Sequence, residues 1–364
     1  MSEDRPSCST PVGGRVQVNV PPGWYAYATG PLQLSRTFHN QMLRLHIKEG
    51  DNVKTEYLNG DLGETDGIAK CGTYAISRSS NKIILTLDSF YSPSSQDQGK
   101  ARQKPITSKG LSIKQAETPP HLKEDFPDYV TFFILVQDTA EQEVPQDSPL
   151  YNDALCTINV IKGTGYNHRG EPIDEPNAMQ KIDAEPTNSR PSCETPAGHS
   201  VKINIPAGWF AFVSGLSRAK YNQAIKLTYD DGQNTNAEVL TSELGSTDDI
   251  MRLKRTREGY YVFVSSEEID IQLETSFYWS KSNIKGQALA KPQFASHKLK
   301  HCETGTAASI RDDFPDYVTY FVRAEDQPDA EQNGRIPDYN DAVAIVNLIK
   351  NTPMVYTLPS DDDQ

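Results

Sequence analysis

The sequence contains two copies of one domain-sized unit. Residues 6–30 (PSCSTPVGGRVQVNVPPGWYAYATG) recur as residues 191–215 (PSCETPAGHSVKINIPAGWFAFVSG), with 13 of 25 positions identical. Residues 125–153 recur without a gap as residues 313–341, with 14 of 29 positions identical. Solenoid repeats are only about 20–50 residues long. The much longer period here therefore indicates a duplicated domain.

Four segments follow from this duplication. We place a first repeat at residues 1–162, a linker at 163–190, a second repeat at 191–352 and an acidic tail at 353–364. Each repeat, at about 160 residues, is long enough to bury a core of its own. The linker has no apolar period and is rich in Gly, Pro, Asn and charged residues, as flexible connections are.

Both repeats show the patterns of short β-strands. Residues 16–20 and 201–205 alternate apolar and polar side chains, which is typical of a half-buried strand. A Pro-x-Gly turn and an aromatic strand follow in each repeat, at 24–28 and 209–213. Further short strands with turn residues between them predict an all-β protein of two tandem antiparallel β-sandwich, jelly-roll-like domains. Residues 58–69 and 239–253 are the two places where we expect a helical turn.

The aromatic strands allow two interpretations. Trp24, Tyr25 and Tyr27 could stack on a sugar, but Tyr25 and Tyr27 become Phe210 and Phe212 in the second repeat. Loss of both hydroxyl groups fits packing in a core better than a polar ligand platform.

Composition narrows the classes of partner. The net charge of −13 argues against nucleic acid, whose phosphates need a basic surface. No run approaches the roughly 18 apolar residues of a membrane span. The first residues, MSEDRPSCSTP, do not resemble a secretory signal, so we expect a cytoplasmic protein or one exported by an unusual route. Five cysteines do not form a disulfide framework, and we expect free structural thiols.

Motifs of catalysis are missing from the sequence. The seven histidines do not recur between the repeats, and no HExxH, GxSxG, P-loop or dinucleotide fingerprint occurs. We therefore predict no catalytic residues, and an enzyme is the least favoured class.

The end of the second repeat gathers oxygen-bearing side chains. One strand ends in Glu-Asp, a loop follows, and Asp-Tyr-Asn-Asp opens the next strand. Ca²⁺ takes 6–8 oxygen ligands in a loose geometry, and neutral amide oxygens limit repulsion between carboxylates. The predicted ligands of the second repeat are Glu325, Asp326, Asp329, Asp338, Asn340 and Asp341.

The first repeat keeps only part of this set. Its predicted ligands are Asp138, Asp147, Asn152 and Asp153. Gln137 stands where the second repeat has Glu325, and Leu150 stands where it has Asp338. We therefore expect a weaker site in the first repeat.

An ordinary turn is the alternative interpretation of both loops. Asp, Asn and Pro are common turn formers, and Asp and Asn side chains hydrogen-bond to nearby backbone groups. On that interpretation Asp-Tyr-Asn-Asp is a tight connection without an ion.

The acidic block also resembles a known family. Glu325-Asp326 followed by residues 338–341 resembles the ED…D-[YF]-N-D-x-V signature of calcium-binding β-sandwich modules in bacterial surface and carbohydrate-binding proteins. It is also similar to calcium-dependent β-sandwich lectins of the galactose-binding type. The resemblance covers about 30 residues of each repeat. It implies a loop-bound Ca²⁺ that coordinates sugar hydroxyls, and Tyr339 and Tyr151 beside it are the predicted ligand contacts.

Three functions remain open on this basis. The resemblance favours a calcium-dependent carbohydrate-binding, lectin-like tandem protein with glycan as its partner. The alternative is an adhesion or interaction module in which Ca²⁺ stiffens the loop and a protein surface binds. A Ca²⁺-dependent β-sandwich enzyme is the third.

Overall fold

The structure is a computed structural model. It describes residues 5–33, 40–59, 72–76, 81–92, 106–117, 128–138, 153–162, 189–217, 222–230, 235–242, 249–253, 260–264, 268–278, 294–295, 298–305, 316–326, 339 and 341–350.

The described part of the first half consists of eleven strands. They are β1 (Ser7–Cys8), β2 (Arg15–Val20), β3 (Trp24–Gln33), β4 (Asn40–Glu49), β5 (Asn52–Asn59), β6 (Gly72–Ile76), β7 (Ile83–Ser92), β8 (Ile106–Thr107), β9 (Gly110–Glu117), β10 (Tyr129–Gln137) and β11 (Ala154–Lys162).

The described part of the second half repeats this order with short additions. Its strands are β12 (Ser192–Cys193), β13 (Ser200–Ile205), β14 (Trp209–Ser217), β15 (Asn222–Asp230), β16 (Thr235–Thr241), β17 (Asp249–Ile250), β18 (Arg252–Leu253), β19 (Tyr260–Val264), β20 (Ile269–Tyr278), β21 (Phe294–Ala295), β22 (Lys298–Gly305), β23 (Tyr317–Glu325) and β24 (Ala342–Lys350).

Each half contributes one outer and one inner antiparallel sheet. The outer sheets have the strand orders β1-β2-β7-β4-β5 and β12-β13-β20-β15-β16-β18. The inner sheets have the orders β6-β3-β11-β10-β9 and β17-β14-β24-β23-β22. The short strands β8, β21 and β19 pair with β7, β20 and β14. The prediction of an all-β fold with two antiparallel sandwiches is confirmed.

The expected helical turns are not found in the described residues. Residue 58 lies within β5 and residues 239–241 lie within β16, and residues 249–250 and 252–253 also form strands. The remaining parts of the two segments, residues 60–69 and 243–248, lie outside the described residues. No helix long and apolar enough to cross a membrane occurs in the described ranges.

Each half buries a core between its outer and inner sheet. Val16, Val18 and Val20 of β2 face the first core, and Val201, Ile203 and Ile205 of β13 face the second. The alternation read from the sequence therefore sets which side of the outer sheet points inward. Trp24 and Trp209 also lie in these cores.

The predicted turns before the aromatic strands are present in both halves. Gly23 and Gly208 each adopt φ 79°, a region that costs a side chain with a Cβ atom but not glycine. The turns reverse the chain from the outer sheet to the inner sheet.

The two inner sheets also pack against each other. Their second faces form one apolar cluster that joins the halves, including Tyr25, Phe133, Phe210 and Phe321. The aromatic strands are thus buried, as expected, but the tyrosines of β3 and the phenylalanines of β14 lie between the halves rather than inside either sandwich.

Two stacked ring pairs mark a pseudo-twofold arrangement at this interface. Tyr27 stacks on Tyr317 with ring centroids 4.5 Å apart, and Tyr129 stacks on Phe212 at the same distance. Tyr27 and Phe212 are repeat equivalents, as are Tyr129 and Tyr317. Each half therefore presents the same two positions to the other.

A buried polar network crosses the centre of the interface. It consists of Tyr129, Thr131 and Asn159 from the first half and of Tyr317, Thr319 and Asn347 from the second. Asn347 Nδ2 donates to the Tyr129 hydroxyl at 2.6 Å, and Asn159 Nδ2 donates to the Tyr317 hydroxyl. Because buried polar groups need partners, this network favours one alignment of the two sheets.

The described cysteine side chains are free thiols, as predicted. Cys8, Cys156 and Cys193 form no disulfide. Burial raises the pKa of Cys8 to about 12, so its thiol stays protonated at neutral pH. Cys156 and its counterpart Ala344 are both 1% exposed, which fits a small buried residue at this position.

The first outer sheet carries a buried carboxylate on its solvent side. Asp88 is 2% exposed and accepts hydrogen bonds from Arg15 Nε at 2.6 Å and from Arg44 Nε at 3.0 Å. Burial alone would raise the pKa of Asp88, but the hydrogen bonds and charges of the two arginines outweigh it and lower the pKa below 3.8.

We predict that Asn347→Ala lowers the free energy of unfolding by about 1–3 kcal/mol, because it removes the amide hydrogen bonds that Asn347 makes to the buried hydroxyl groups of Tyr129, Tyr317 and Thr319. Urea denaturation measures this change. Asn19→Ala removes a partly buried asparagine that bonds to Ser7 near the surface and is the matched control, expected to stay within about 0.5 kcal/mol of the wild type. Equal effects of the two substitutions would contradict the structural role of the network.

We also predict a pH dependence at Asp88. Its lowered pKa means that the ionised form stabilises the fold above about pH 4, and that this contribution disappears as the pH falls through the lowered value. Asp88→Asn should therefore destabilise the protein at pH 7 by about 1–3 kcal/mol and by much less at pH 2.5. Urea titrations at both pH values test this, with the exposed Asp51→Asn as control. A constant difference would refute the prediction.

Candidate metal centre

Antiparallel pairing brings three of the predicted ligands together in the second half. Strand β23 ends at Glu325, Asp326 follows it, and Asp341 directly precedes β24. Pairing of Ala324 with Ala342 places these strand ends side by side. One carboxylate oxygen from each of the three acidic residues lies within 4.8 Å of those of the other two.

The turn interpretation accounts for part of what Asp341 does. Its Oδ2 accepts a hydrogen bond from the backbone N–H of Asp326 at 2.7 Å, and its own N–H donates to the carbonyl of Ala324 at 3.2 Å. The Asp341 carboxylate therefore caps the end of β23. A carboxylate has about four lone-pair positions, so this bond does not by itself exclude a metal ion.

Tyr339 has an unusual backbone conformation beside the cluster. Its φ is 50°, in a region that is an outlier for a bulky residue. Its N–H donates to Glu325 Oε2 at 3.3 Å, and Arg323 Nε donates to its carbonyl at 2.9 Å. Strained backbone at a group of acids is typical of functional loops.

The Tyr339 side chain is largely covered. It is 6% exposed, and the ammonium group of Lys300 lies 4.5 Å from the centre of its ring. A cation over the ring face is a favourable contact. It also covers one face of the ring, which a sugar could otherwise use for stacking.

Gln223 of β15 contributes to the site and was missed by sequence reasoning. It is 0% exposed, and its Nε2 donates to Asp326 Oδ2 at 2.8 Å. Within the described residues its Oε1 has no hydrogen-bond partner, which is costly for a buried oxygen. The recurrence of Asn-Gln at 40–41 and 222–223, before similar apolar positions, is the signal that could have found it.

Negative and positive groups both lie at this site, because Arg323 and Lys300 contact Tyr339 beside the three carboxylates. Three carboxylates this close repel one another by about 3 kcal/mol per pair at an effective dielectric constant of 20. The three acidic side chains of the cluster, Glu325, Asp326 and Asp341, offer only oxygen atoms as ligands. Such oxygens suit Ca²⁺ rather than a transition metal.

The first half has the same framework with fewer charges. Gln41 donates to Asp138 Oδ2, and the N–H of Asp138 donates to Asp153 Oδ2 at 2.7 Å. Ser108 Oγ donates to the other oxygen of Asp138 at 3.4 Å. Gln137 occupies the position of Glu325, so two carboxylates stand where the second half has three.

Tyr91 lies close enough to this first cluster for the charges of Asp138 and Asp153 to affect its pKa. Burial raises its pKa above 10, and the charges of Asp138 and Asp153 raise it further. Both effects oppose the formation of a phenolate.

The remaining predicted site residues lie outside the described part of the chain. They are Asp329, Asp338, Asn340, Asp147, Asn152 and Tyr151. The structure neither brings them to the two clusters nor separates them from the clusters.

Comparisons with known proteins give no family. No family model matches the chain, and no curated protein matches it. Among solved structures, vicilin from Capsicum annuum is similar over 74% of this chain and 79% of that chain, at 10% identity and a TM-score of 0.12. A likeness at that score carries no argument about fold or function.

We predict that Ca²⁺ stabilises the wild type and that Asp326→Ala combined with Asp341→Ala abolishes this effect. An ion that binds only the folded state adds about 2.7 kcal/mol at a concentration of 100 times its Kd. Thermal unfolding in Ca²⁺ and in chelator measures the difference. Asp138→Ala with Asp153→Ala is the matched control in the first half and should retain most of the stabilisation. A wild-type melting temperature that is equal in Ca²⁺ and chelator would leave only the turn interpretation.

Proposed function

We propose that this protein is a calcium-dependent carbohydrate-binding, lectin-like protein whose second half holds the stronger Ca²⁺ site. The observation that carries the proposal is the convergence of Glu325, Asp326 and Asp341 within 4.8 Å of one another.

The buried Gln223 amide supports an ion at this position. Its Oε1 is a neutral oxygen next to the carboxylates, and it has no partner among the described residues. Rotation of the amide would exchange its N–H bond to Asp326 for an oxygen directed at Ca²⁺, and the buried Oε1 would then have a partner. The ion would also offset repulsion among the three carboxylates.

The glycan part of the proposal comes from the resemblance of the acidic block to calcium-dependent lectins. Glu325 and Asp326 are 3% and 1% exposed, whereas Asp341 is only partly buried. The side of Asp341 is therefore the direction from which a ligand would reach the ion. Two adjacent sugar hydroxyls could replace waters on a Ca²⁺ with many oxygen ligands.

The packing of the inner sheets would allow the two halves to bind ligands together. Because the halves share a buried interface, two binding sites would keep a fixed separation. Two weak sites on one body gain avidity when the spacing of the ligands matches.

One observation favours a second candidate, the adhesion or interaction module. The Tyr339 ring lies under Lys300 and is nearly buried, so it offers no open face to a sugar. In that function Ca²⁺ orders the loop, and a protein surface binds instead of a glycan.

A glycan array in millimolar Ca²⁺ and in chelator tests the proposal. We predict binding that chelator removes and that Asp326→Ala weakens at least tenfold, since a lost charged contact is worth about 1.5–3 kcal/mol. Leu150→Asp should strengthen Ca²⁺ binding in the first half, because it introduces the carboxylate that the second repeat has at the equivalent position, Asp338. Asp51→Asn is the control for a lost surface charge.

The outcomes separate the two candidates. An array that stays blank while calorimetry shows bound Ca²⁺ would overturn the lectin function and leave the interaction module. Absence of Ca²⁺ binding in calorimetry would overturn both.

A further inference from the structure

The first outer sheet carries a second group of polar and charged side chains, on its solvent side rather than at the acidic strand ends. Residues 43, 45 and 47 of β4 face the core, so Met42, Arg44, His46 and Lys48 point to the solvent side. Arg15 of β2 and Asp88 of β7 lie opposite Arg44 in the same row. This face belongs to the half with the weaker acidic cluster.

Arg44 is held in place by two side chains, Asp88 and Phe90. Its Nε and Nη2 both donate to Asp88 Oδ2, and its guanidinium group lies 4.8 Å from the centre of the Phe90 ring. Two of the five guanidinium N–H groups are used by Asp88, which leaves three donors in a fixed fork. A fixed fork matches the two oxygens of a carboxylate or sulfate.

Arg15 adds positive charge next to Arg44, and His46 lies beside the same carboxylate. Arg15 uses Nε for Asp88 Oδ1, and its side chain is 64% exposed. His46 Nε2 lies 3.5 Å from Asp88 Oδ2, while its Nδ1 lies 2.9 Å from the hydroxyl of Thr55. The single buried carboxylate positions several donors and does not neutralise them all.

Apolar and hydroxyl groups border the cationic centre. Met42 and Phe90 form a small apolar cluster against which Tyr57 packs, and Tyr57 is only partly buried. Tyr57 pairs with Arg44 across β4 and β5, and Thr55 pairs with His46. An aromatic surface beside hydroxyl groups suits a sugar ring.

The second half provides an internal comparison. At the equivalent positions it has Lys226 opposite Glu274 and Ser200, with Lys226 Nζ 3.2 Å from Glu274 Oε2. Ser200 replaces Arg15, Thr228 replaces His46 and Ser276 replaces Phe90. A one-to-one ion pair there leaves no fixed fork of donors and no aromatic support.

We propose that the outer sheet of the first half binds the carboxylate or sulfate group of an acidic sugar without Ca²⁺. Arg44 holds the two anionic oxygens, Arg15 adds charge, and Tyr57 contacts the ring. A single acidic group fits better than a polyanion, because the chain as a whole carries a net charge of −13 and repels extended anions. This site is independent of the acidic cluster proposed above.

Ligand-observed NMR of the full chain in chelator tests the site. The probes are glucuronate, glucose 6-sulfate, neutral glucose and inorganic sulfate. We expect binding of one or both acidic sugars and none of glucose, and the two acidic probes distinguish a carboxylate from a sulfate ligand. Equal binding of inorganic sulfate and glucose 6-sulfate would overturn the sugar specificity. Absence of binding of both acidic sugars would overturn the site.

Arg44→Lys is the decisive variant, because it retains the charge and introduces the residue found in the second half. It loses the planar fork, so the affinity for the acidic sugar should fall about tenfold. Lys226→Gln removes a positive charge from the second outer sheet and should leave the affinity unchanged. Arg15→Ser, which also introduces the residue of the second half, should weaken binding. It replaces Arg44→Lys as the test if Arg44→Lys lowers the melting temperature. Equal effects of Arg44→Lys and Lys226→Gln would refute the site.

Because these measurements are made in chelator, failure of this site and failure of the proposed Ca²⁺ function are separate results.

Discussion

The face-to-face packing of the two inner sheets is the contact on which the arrangement of this protein depends. Each inner sheet is apolar on both faces: one covers a sandwich core and the other meets the opposite half. The buried Tyr-Thr-Asn sets at the centre hydrogen-bond across the interface, so sliding the sheets would leave polar groups unpaired. Apolar area holds the halves together, and the polar network fixes their alignment.

This alignment leaves the strand ends and the outer sheets available for other roles. The acidic residues stand at the ends of β10, β11, β23 and β24, strands whose middles form the interface. The cationic face lies on β2, β7, β4 and β5, away from the interface. The candidate sites therefore lie at positions that do not form the interface between the halves. Their residues can diverge while the fold is retained.

Comparison of the halves separates framework from charge. The Gln-Asp-Asp arrangement is present in both halves, as Gln41, Asp138 and Asp153 and as their counterparts. It is therefore part of the hydrogen-bonded framework that joins the strand ends in each half. The third carboxylate at Glu325 is found only in the second half, and the Asp88 cluster with its two arginines only in the first. The two proposed binding sites, for Ca²⁺ and for an acidic sugar, depend on these residues that differ between the halves.

The sequence by itself determined the duplication, the β class and the inward side of the outer strands, because period-2 alternation and paired turns are local properties. It also placed Glu325 next to Asp326 and predicted that Asp341 would return beside them, since consecutive antiparallel strands meet at their ends. Only the tertiary structure decided that Tyr27 and Phe212 lie between the halves, that Gln223 reaches Asp326, and that Lys300 covers Tyr339. Those contacts join residues on strands distant in sequence, and such pairings depend on sheet order and packing rather than on any local pattern.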